Sequence, residues 1–166
     1  MDKGTLEFVR LHKDKLTGRV LEIGSFNVNG SVREVIDIAV GVDLRKGKGV
    51  DLVCPVQDLK KHFPDGSFDA CVSTATLEHI EDWRGFVNVT WDLVKPGGYL
   101  VITMASLFKG RHDYPHDYWR MTEDHIRTIY PHVKDFGLIG KNVSIGWTVK
   151  KRGKLGNLDF EPIKIK

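Results

Sequence analysis

Short apolar runs alternate with polar or helix-patterned stretches along this chain, and that alternation constrains the fold more than any other feature. The runs at 19–23 (RVLEI), 40–44 (VGVDL), 50–54 (VDLVC), 68–73 (FDACVS) and 99–104 (YLVITM) read as buried strands. Leu6, Phe8, Val9, Leu11 and Leu16 recur at helical spacing, which predicts an amphipathic helix over 4–16. Ser31 and Glu34 have capping-box spacing and open a helix whose buried face would be Val32, Val35, Ile36 and Ala39. A short helical turn is expected over 58–62. Trp83, Phe86, Val87, Thr90, Leu93 and Val94 trace one side of a longer helix, which Pro96, Gly97 and Gly98 terminate. Thr122 caps a last helix over 123–130, ended by Pro131, and the alternation of Val143, Ile145, Trp147 and Val149 reads as an antiparallel strand. Strands separated by helices require right-handed crossovers, so the expected fold is a three-layer α/β/α sandwich around a mainly parallel sheet.

Charge and cysteine content exclude more than they assign. With 25 Lys and Arg against 22 Asp and Glu, the net charge is +3, too small to identify a nucleic-acid partner. Cys54 and Cys71 lie in no metal or redox motif, and no apolar run resembles a leader, anchor or spanning helix, so a reducing cytoplasm and no membrane partner are expected. The 166 residues fit one domain, 1–166, with a core that needs no staples.

In open α/β sheets ligands bind beyond the carboxyl ends of the strands. The first strand ends at Gly24, where the turn lets ligand atoms approach the backbone and a following helix start offers free N–H groups. Asp43 ends the neighbouring strand 19 residues later, near the spacing at which an acid accepts hydrogen bonds from a ribose. Together they point to a nucleoside ligand.

Six strings then occur in one order: VLEIGS (20–25), GVDL (41–44), FPDGSFD (63–69), LEH (77–79), LVKPGG (93–98) and HDYWRMT (116–122). In that order they resemble the class I S-adenosylmethionine-dependent methyltransferases, and the small type 11 group in particular, across about residues 18–130. The resemblance implies a Rossmann-like sandwich and S-adenosyl-L-methionine as cofactor. It would set Gly24, Ser25 and Gly30 near the methionine part, with Glu22 supporting the loop or the amino group. It would set Asp43 on the ribose hydroxyls, Leu44 against the adenine, and Val56, Gln57 and Asp58 at the adenine edge. Ser73, Thr74 and Leu77, within the 73–79 segment, would line the methionine side. The loop departs from the family's glycine pattern, with Phe26 and Val28 where further glycines usually stand, and Pro55 replaces a common adenine-edge acid.

Methyl transfer is an in-line displacement, so an enzyme must chiefly align the nucleophile and exclude water. A base helps where the nucleophile carries a proton, and His79 and His116 are the candidates, with Asp117 and Arg120 as an orienting pair. His112 and His116 with Asp113 and Asp117 have metal-ligand chemistry, but Pro115 argues against the helix that would put both imidazoles on one face, so no metal is expected there. Tyr114, Tyr118 and Trp119 can wall a flat or sugar-like acceptor or simply pack. The basic stretch of Lys150, Lys151, Arg152 and Lys154, with Lys164 and Lys166, reads as a solvated tail before it reads as an RNA contact. The reading favoured is methyl transfer to an oxygen or nitrogen of a small-molecule or glycan-like acceptor. A non-catalytic cofactor-binding partner subunit is the alternative; a nicotinamide-dependent oxidoreductase is weaker, because residues 24–29 do not supply G-x-G-x-x-G. Little of the chain is left over for a lid, so an open site, or one closed with help from a second subunit in a homodimer, is expected.

Overall fold

The computed structural model describes residues 2–113, 116–141 and 143–165. Helix α1 (Lys3–Leu11) starts one residue earlier than the apolar period implies, because Asp2 caps it: its Oδ1 accepts from the Gly4 and Thr5 amides at 2.9 and 3.1 Å. A 3₁₀ turn, Lys13–Lys15, replaces the rest of the expected helix. Strand β1 (Val20–Ile23) follows, then β2 (Val40–Asp43), the short β3 (Leu52–Val53) and β4 (Phe68–Thr74). Helix α2 (Trp83–Leu93) leads into β5 (Val94–Ala105), and β6 (Trp119–Arg120) precedes α3 (Glu123–Ile129). Strands β7 (Val133–Ile139), β8 (Ser144–Lys150) and β9 (Ile163–Lys164) complete the described elements.

The main sheet has the order β3-β2-β1-β4-β5-β8-β7. β3 through β5 are mutually parallel, whereas β8 runs antiparallel to both β5 and β7. The C-terminal alternation is therefore the antiparallel strand expected of it, and β7, which the sequence pattern did not reveal, closes that edge. Period-2 geometry sorts the core into two layers. Leu21, Ile23, Cys71, Leu100 and Ile102 face the layer formed by α2 and α3. Val20, Ala70, Val72 and Val101 face α1 and the segment after Ser31.

That segment corrects one expectation. The Ser31–Glu34 capping box forms, but it opens only a 3₁₀ turn, Val32–Glu34. Residues 35–40 are rich in β-branched side chains, which favour strand over helix. The Ala39 amide already donates to Val20 O at 3.0 Å, so sheet pairing claims the chain before a second helical turn can close. Similarly, residues 58–62 belong to a 3₁₀ helix spanning Val56–Lys61. The basic stretch is partly structural: Lys151 Nζ donates to Val94 O at 2.7 Å, beyond the end of α2, and Lys164 lies over the Trp119 ring. Lys166 lies outside the described residues. Among the described residues, no helix is long and apolar enough to cross a membrane.

Candidate active site

Chain order reverses at β1. The chain runs outward from β1 through β2 to β3, then returns to place β4 on the other side. The crevice beyond the carboxyl ends of β1, β2 and β4 is where such a sheet binds ligands. It holds a cavity of about 800 Å³, walled by the turn after β1, the end of β2, residues 54–57 and the segment after β4.

Gly24 makes the first wall possible. Its φ is +82°, and a Cβ there would stand 1.9 Å from Thr76 Oγ1, so only glycine fits. The Gly24 and Ser25 amides donate to Val42 O at 2.9 and 3.0 Å, which ties the turn to the end of β2. Asp43 completes the tie: its Oδ2 accepts from the Phe26 amide at 3.2 Å and its Oδ1 from the Arg45 amide at 3.0 Å. The carboxylate is thus aimed along the cavity edge and held there by backbone donors.

Glu22 lies one layer deeper. It is 4% exposed, and Oε2 has no hydrogen-bond partner, although Arg33 Nε stands 3.7 Å away. Burial pushes its carboxyl up to about 7, against the pull of the Arg33 guanidinium. Ser25 Oγ, also buried, has no partner either. Two orphaned polar atoms beside a glycine turn are what a cavity built for a polar ligand leaves behind when only the protein is considered.

Glu22, Gly24, Ser25, Gly30, Asp43, Leu44, Val56, Gln57, Thr74 and His79 all line the cavity. Leu44 is 66% exposed at its rim, a large apolar side chain with a free face. Asp58, Ser73, Leu77 and His116 do not line it. Asp58 turns to an ion pair with Lys61 at 2.8 Å, and Ser73 Oγ donates to Ile23 O inside the sheet. Leu77 is packed in the core. The His116 side chain is exposed, and only its backbone carbonyl turns inward, to accept from His79 Nδ1. Tyr118 and Trp119 stack on one another away from the cavity, and Trp119 Nε1 donates to Ile80 O at 2.9 Å, so neither walls it. Tyr114 and Pro115 lie outside the described residues.

A second histidine, His112, enters the cavity wall beside His79. Its amide donates to Asp117 Oδ2 at 3.0 Å, and its Nδ1 stands 3.0 Å from the same oxygen, off the line of a good hydrogen bond. Asp117 and Arg120 form the expected orienting pair, with both side chains fully buried and Arg120 Nη2 donating to Asp117 Oδ2 at 2.8 Å. Arg120 also donates to the carbonyls of Ser106, Lys109 and Gly110, so one guanidinium organises the whole loop after β5. A further wall residue, Ala75, holds a left-handed φ of 48° at the turn after β4. This is a rare conformation for a side chain other than glycine.

A parallel sheet with a glycine turn after its first strand, an acid ending its second and a cavity across the reversal point defines a Rossmann-like nucleoside-cofactor domain. A family model described as a methyltransferase domain matches residues 33–102. The chain is 31% identical over 114 residues to phosphoethanolamine N-methyltransferase 1 of Arabidopsis thaliana, covering 60% of this chain and 23% of that protein. It is 29% identical over 117 residues to a ubiquinone biosynthesis O-methyltransferase of Chromobacterium violaceum, covering 61% and 50%. The chain thus spans half or less of the length of these curated relatives. In fold it is similar to a Burkholderia thailandensis 1,6-didemethyltoxoflavin-N1-methyltransferase solved with S-adenosylhomocysteine (TM-score 0.67, 16% identity, 92% of this chain and 80% of that one). It is likewise similar to a SAM-dependent methyltransferase from Thermotoga maritima (TM-score 0.62, 18% identity, 89% and 92%). The chain thus shares the Rossmann-like fold of these methyltransferases and is similar in sequence to a methyltransferase domain over residues 33–102. Those solved methyltransferases are SAM-dependent or hold S-adenosylhomocysteine, and the orphaned Glu22 and Ser25 oxygens beside Gly24 suit a ligand with a polar end.

Proposed function

We propose that this chain is a methyltransferase acting on an oxygen or nitrogen of a small-molecule or glycan-like acceptor, built as a single domain over 1–166. The observation that carries the reading is the joining of Gly24, Glu22 and Asp43 from two adjacent strand ends on one cavity. S-adenosylmethionine would supply an activated methyl group on a sulfonium. Everything else asked of the protein is alignment and exclusion of water. Asp43 accepts from the ribose hydroxyls, Leu44 covers one adenine face, and Val56 and Gln57 border the adenine edge. Gly24, Ser25 and Gly30 let the chain approach the amino-acid part, and Glu22 faces its ammonium. His79, its Nδ1 held by the His116 carbonyl, keeps Nε2 as the proton acceptor on the acceptor side; this duty falls to His79 because the His116 ring lies outside the cavity. The N- and O-methyltransferase relatives support both acceptor atoms. Two free, buried cysteines support a reducing compartment, for which the cytoplasm is proposed. A second copy of the chain, in a homodimer, would help enclose an acceptor over the open rim.

Turnover tests the reading. Incubation with methyl-labelled S-adenosylmethionine and a panel of amines, phenols and sugars should label at least one acceptor class, with His79→Ala slower by about 10²–10⁴-fold where a proton must leave. Cofactor binding with no labelled product across the panel would transfer support to a non-catalytic partner subunit.

Two binding predictions follow from the cavity wall. Asp43→Ala should weaken S-adenosylhomocysteine binding by about 1–3 kcal/mol, because charge-assisted hydrogen bonds to the ribose are lost. Calorimetry measures this, and unchanged affinity would remove Asp43 from the ribose. Glu22 sets a pH dependence. Its folded carboxyl is raised from 4.5 to about 7, so its contribution to the stability of the unliganded protein is full below pH 4.5 and is lost as pH rises through about 7. A ligand ammonium reverses that preference by favouring the carboxylate. Affinity should therefore rise with pH by up to about tenfold per unit below the folded pKa and level off above it. Glu22→Gln should flatten the profile; a profile unchanged in that variant would assign the titration elsewhere.

A further inference from the structure

The acceptor side of the cavity holds a cluster that methyl transfer to a simple nucleophile does not require. Glu78, His79 and His112 each offer one ligand atom within 4.8 Å of the other two. Glu78 is 0% exposed, an expensive position for a carboxylate, and only one of its oxygens is used: Oε1 accepts from the Ala105 amide at 2.9 Å, while Oε2 has no partner. The imidazoles stand edge to face with ring centres 5.0 Å apart, and His112 Nε2 is 3.8 Å from Glu78 Oε1.

Each ring has an oxygen on its outer, Nδ1 side. His79 Nδ1 meets the His116 carbonyl, and His112 Nδ1 lies against the Asp117 carboxylate, itself fixed by Arg120. For His79 the carbonyl acceptor keeps the proton on Nδ1 and leaves Nε2 as a lone-pair donor, the arrangement that surrounds metal-bound histidines; His112 has a carboxylate beside its Nδ1, 3.0 Å away but off the line of a good hydrogen bond. Both histidines line the cavity, so a fourth position would open toward it. We propose that Glu78, His79 and His112 form a site for a divalent transition-metal ion, zinc by the nitrogen and oxygen character of its ligands, with its open position facing the cavity. The ion would take an oxygen of the acceptor as its fourth ligand and, because it occupies His79 Nε2, would replace that nitrogen in promoting loss of the acceptor's proton; this extension rests on the methyltransferase reading, the ion site itself does not. This cluster differs from the His112 and His116 pairing considered from sequence, since His116 contributes only a carbonyl.

Cobalt titration of the untagged, metal-free full chain tests the site. One equivalent of Co²⁺ should give the intense visible absorption of a four-coordinate ion, displaced stoichiometrically by Zn²⁺. His112→Ala, at a partly exposed position, and Glu78→Gln should each weaken binding by about tenfold or more, whereas His116→Ala, which keeps the carbonyl, should leave it unchanged. Absence of the absorption in the wild-type protein, or its persistence in both ligand variants, would overturn the proposal and leave Glu78 as a buried anchor for the Ala105 amide. S-adenosylhomocysteine calorimetry on the same samples separates the two readings: cobalt binding without nucleoside binding would keep the ion site and remove the cofactor assignment.

Discussion

Arg120→Leu is expected to cost about 3–5 kcal/mol of folding free energy, because it strands the Asp117 carboxylate in the interior without its cation. Arg120 is 0% exposed and meets both Asp117 oxygens. Its remaining N–H groups hold carbonyls of Ser106, Lys109, Gly110 and Trp119, so no nearby group can replace it. Against a total stability of roughly 5–15 kcal/mol, this is a large fraction. Arg120→Lys should recover only part, since an ammonium cannot reproduce the bidentate fork and the carbonyl contacts together. Urea unfolding of the three proteins measures the effect. A loss below about 1 kcal/mol for the leucine variant would mean that the pair is solvated like a surface ion pair. The consequence for the site runs through Asp117, which positions His112. The lysine variant, where folded, should therefore show weakened cobalt binding as well as lowered stability.

Gly24→Ala is expected to be the most damaging small substitution in the cavity. The left-handed backbone alone costs roughly 1–2 kcal/mol once a Cβ is present. That Cβ would also stand 1.9 Å from Thr76 Oγ1 and 2.9 Å from Thr76 Cβ, so the turn or the Thr76 segment must move. Because the turn carries the amides joined to Val42 and Asp43, its displacement should reduce S-adenosylhomocysteine affinity by at least about 5–30-fold, the equivalent of one to two kcal/mol. Adding Thr76→Gly removes the collision but not the backbone strain, so the double variant should recover part of the affinity. Wild-type affinity in Gly24→Ala would show that the ligand does not use this turn.

The features legible in the sequence are those encoded by local pattern. Period-2 runs placed β1, β2, β4 and β5, and the acid ending the second run proved to be Asp43 at the cavity edge. Elements that depend on partners elsewhere were not legible. β9 exists only by pairing with β6, and β7 only by pairing with β8. The helix expected after Ser31 failed because Ala39 is drawn into the sheet beside Val20. In the loop after β5, His112 and His116 are each followed by an aspartate, and composition cannot tell which ring faces inward. Folding decides it, because Asp117 holds the His112 amide while Tyr118 N donates to Glu78 O and turns the His116 ring outward. Strand parity was the signal available against Ser73: it shares the face of Cys71, which packs toward α2.

Every methyl-transfer role proposed for the cavity between the ends of β1, β2 and β4 depends on its recognising the S-adenosyl group. Titration calorimetry of the wild-type chain with S-adenosylhomocysteine, and with NAD as the competing nucleoside cofactor, tests it most directly. Binding of one equivalent of S-adenosylhomocysteine, with no heat from NAD, is the result predicted. A folded protein that binds NAD, or that gives no heat with S-adenosylhomocysteine, would contradict it.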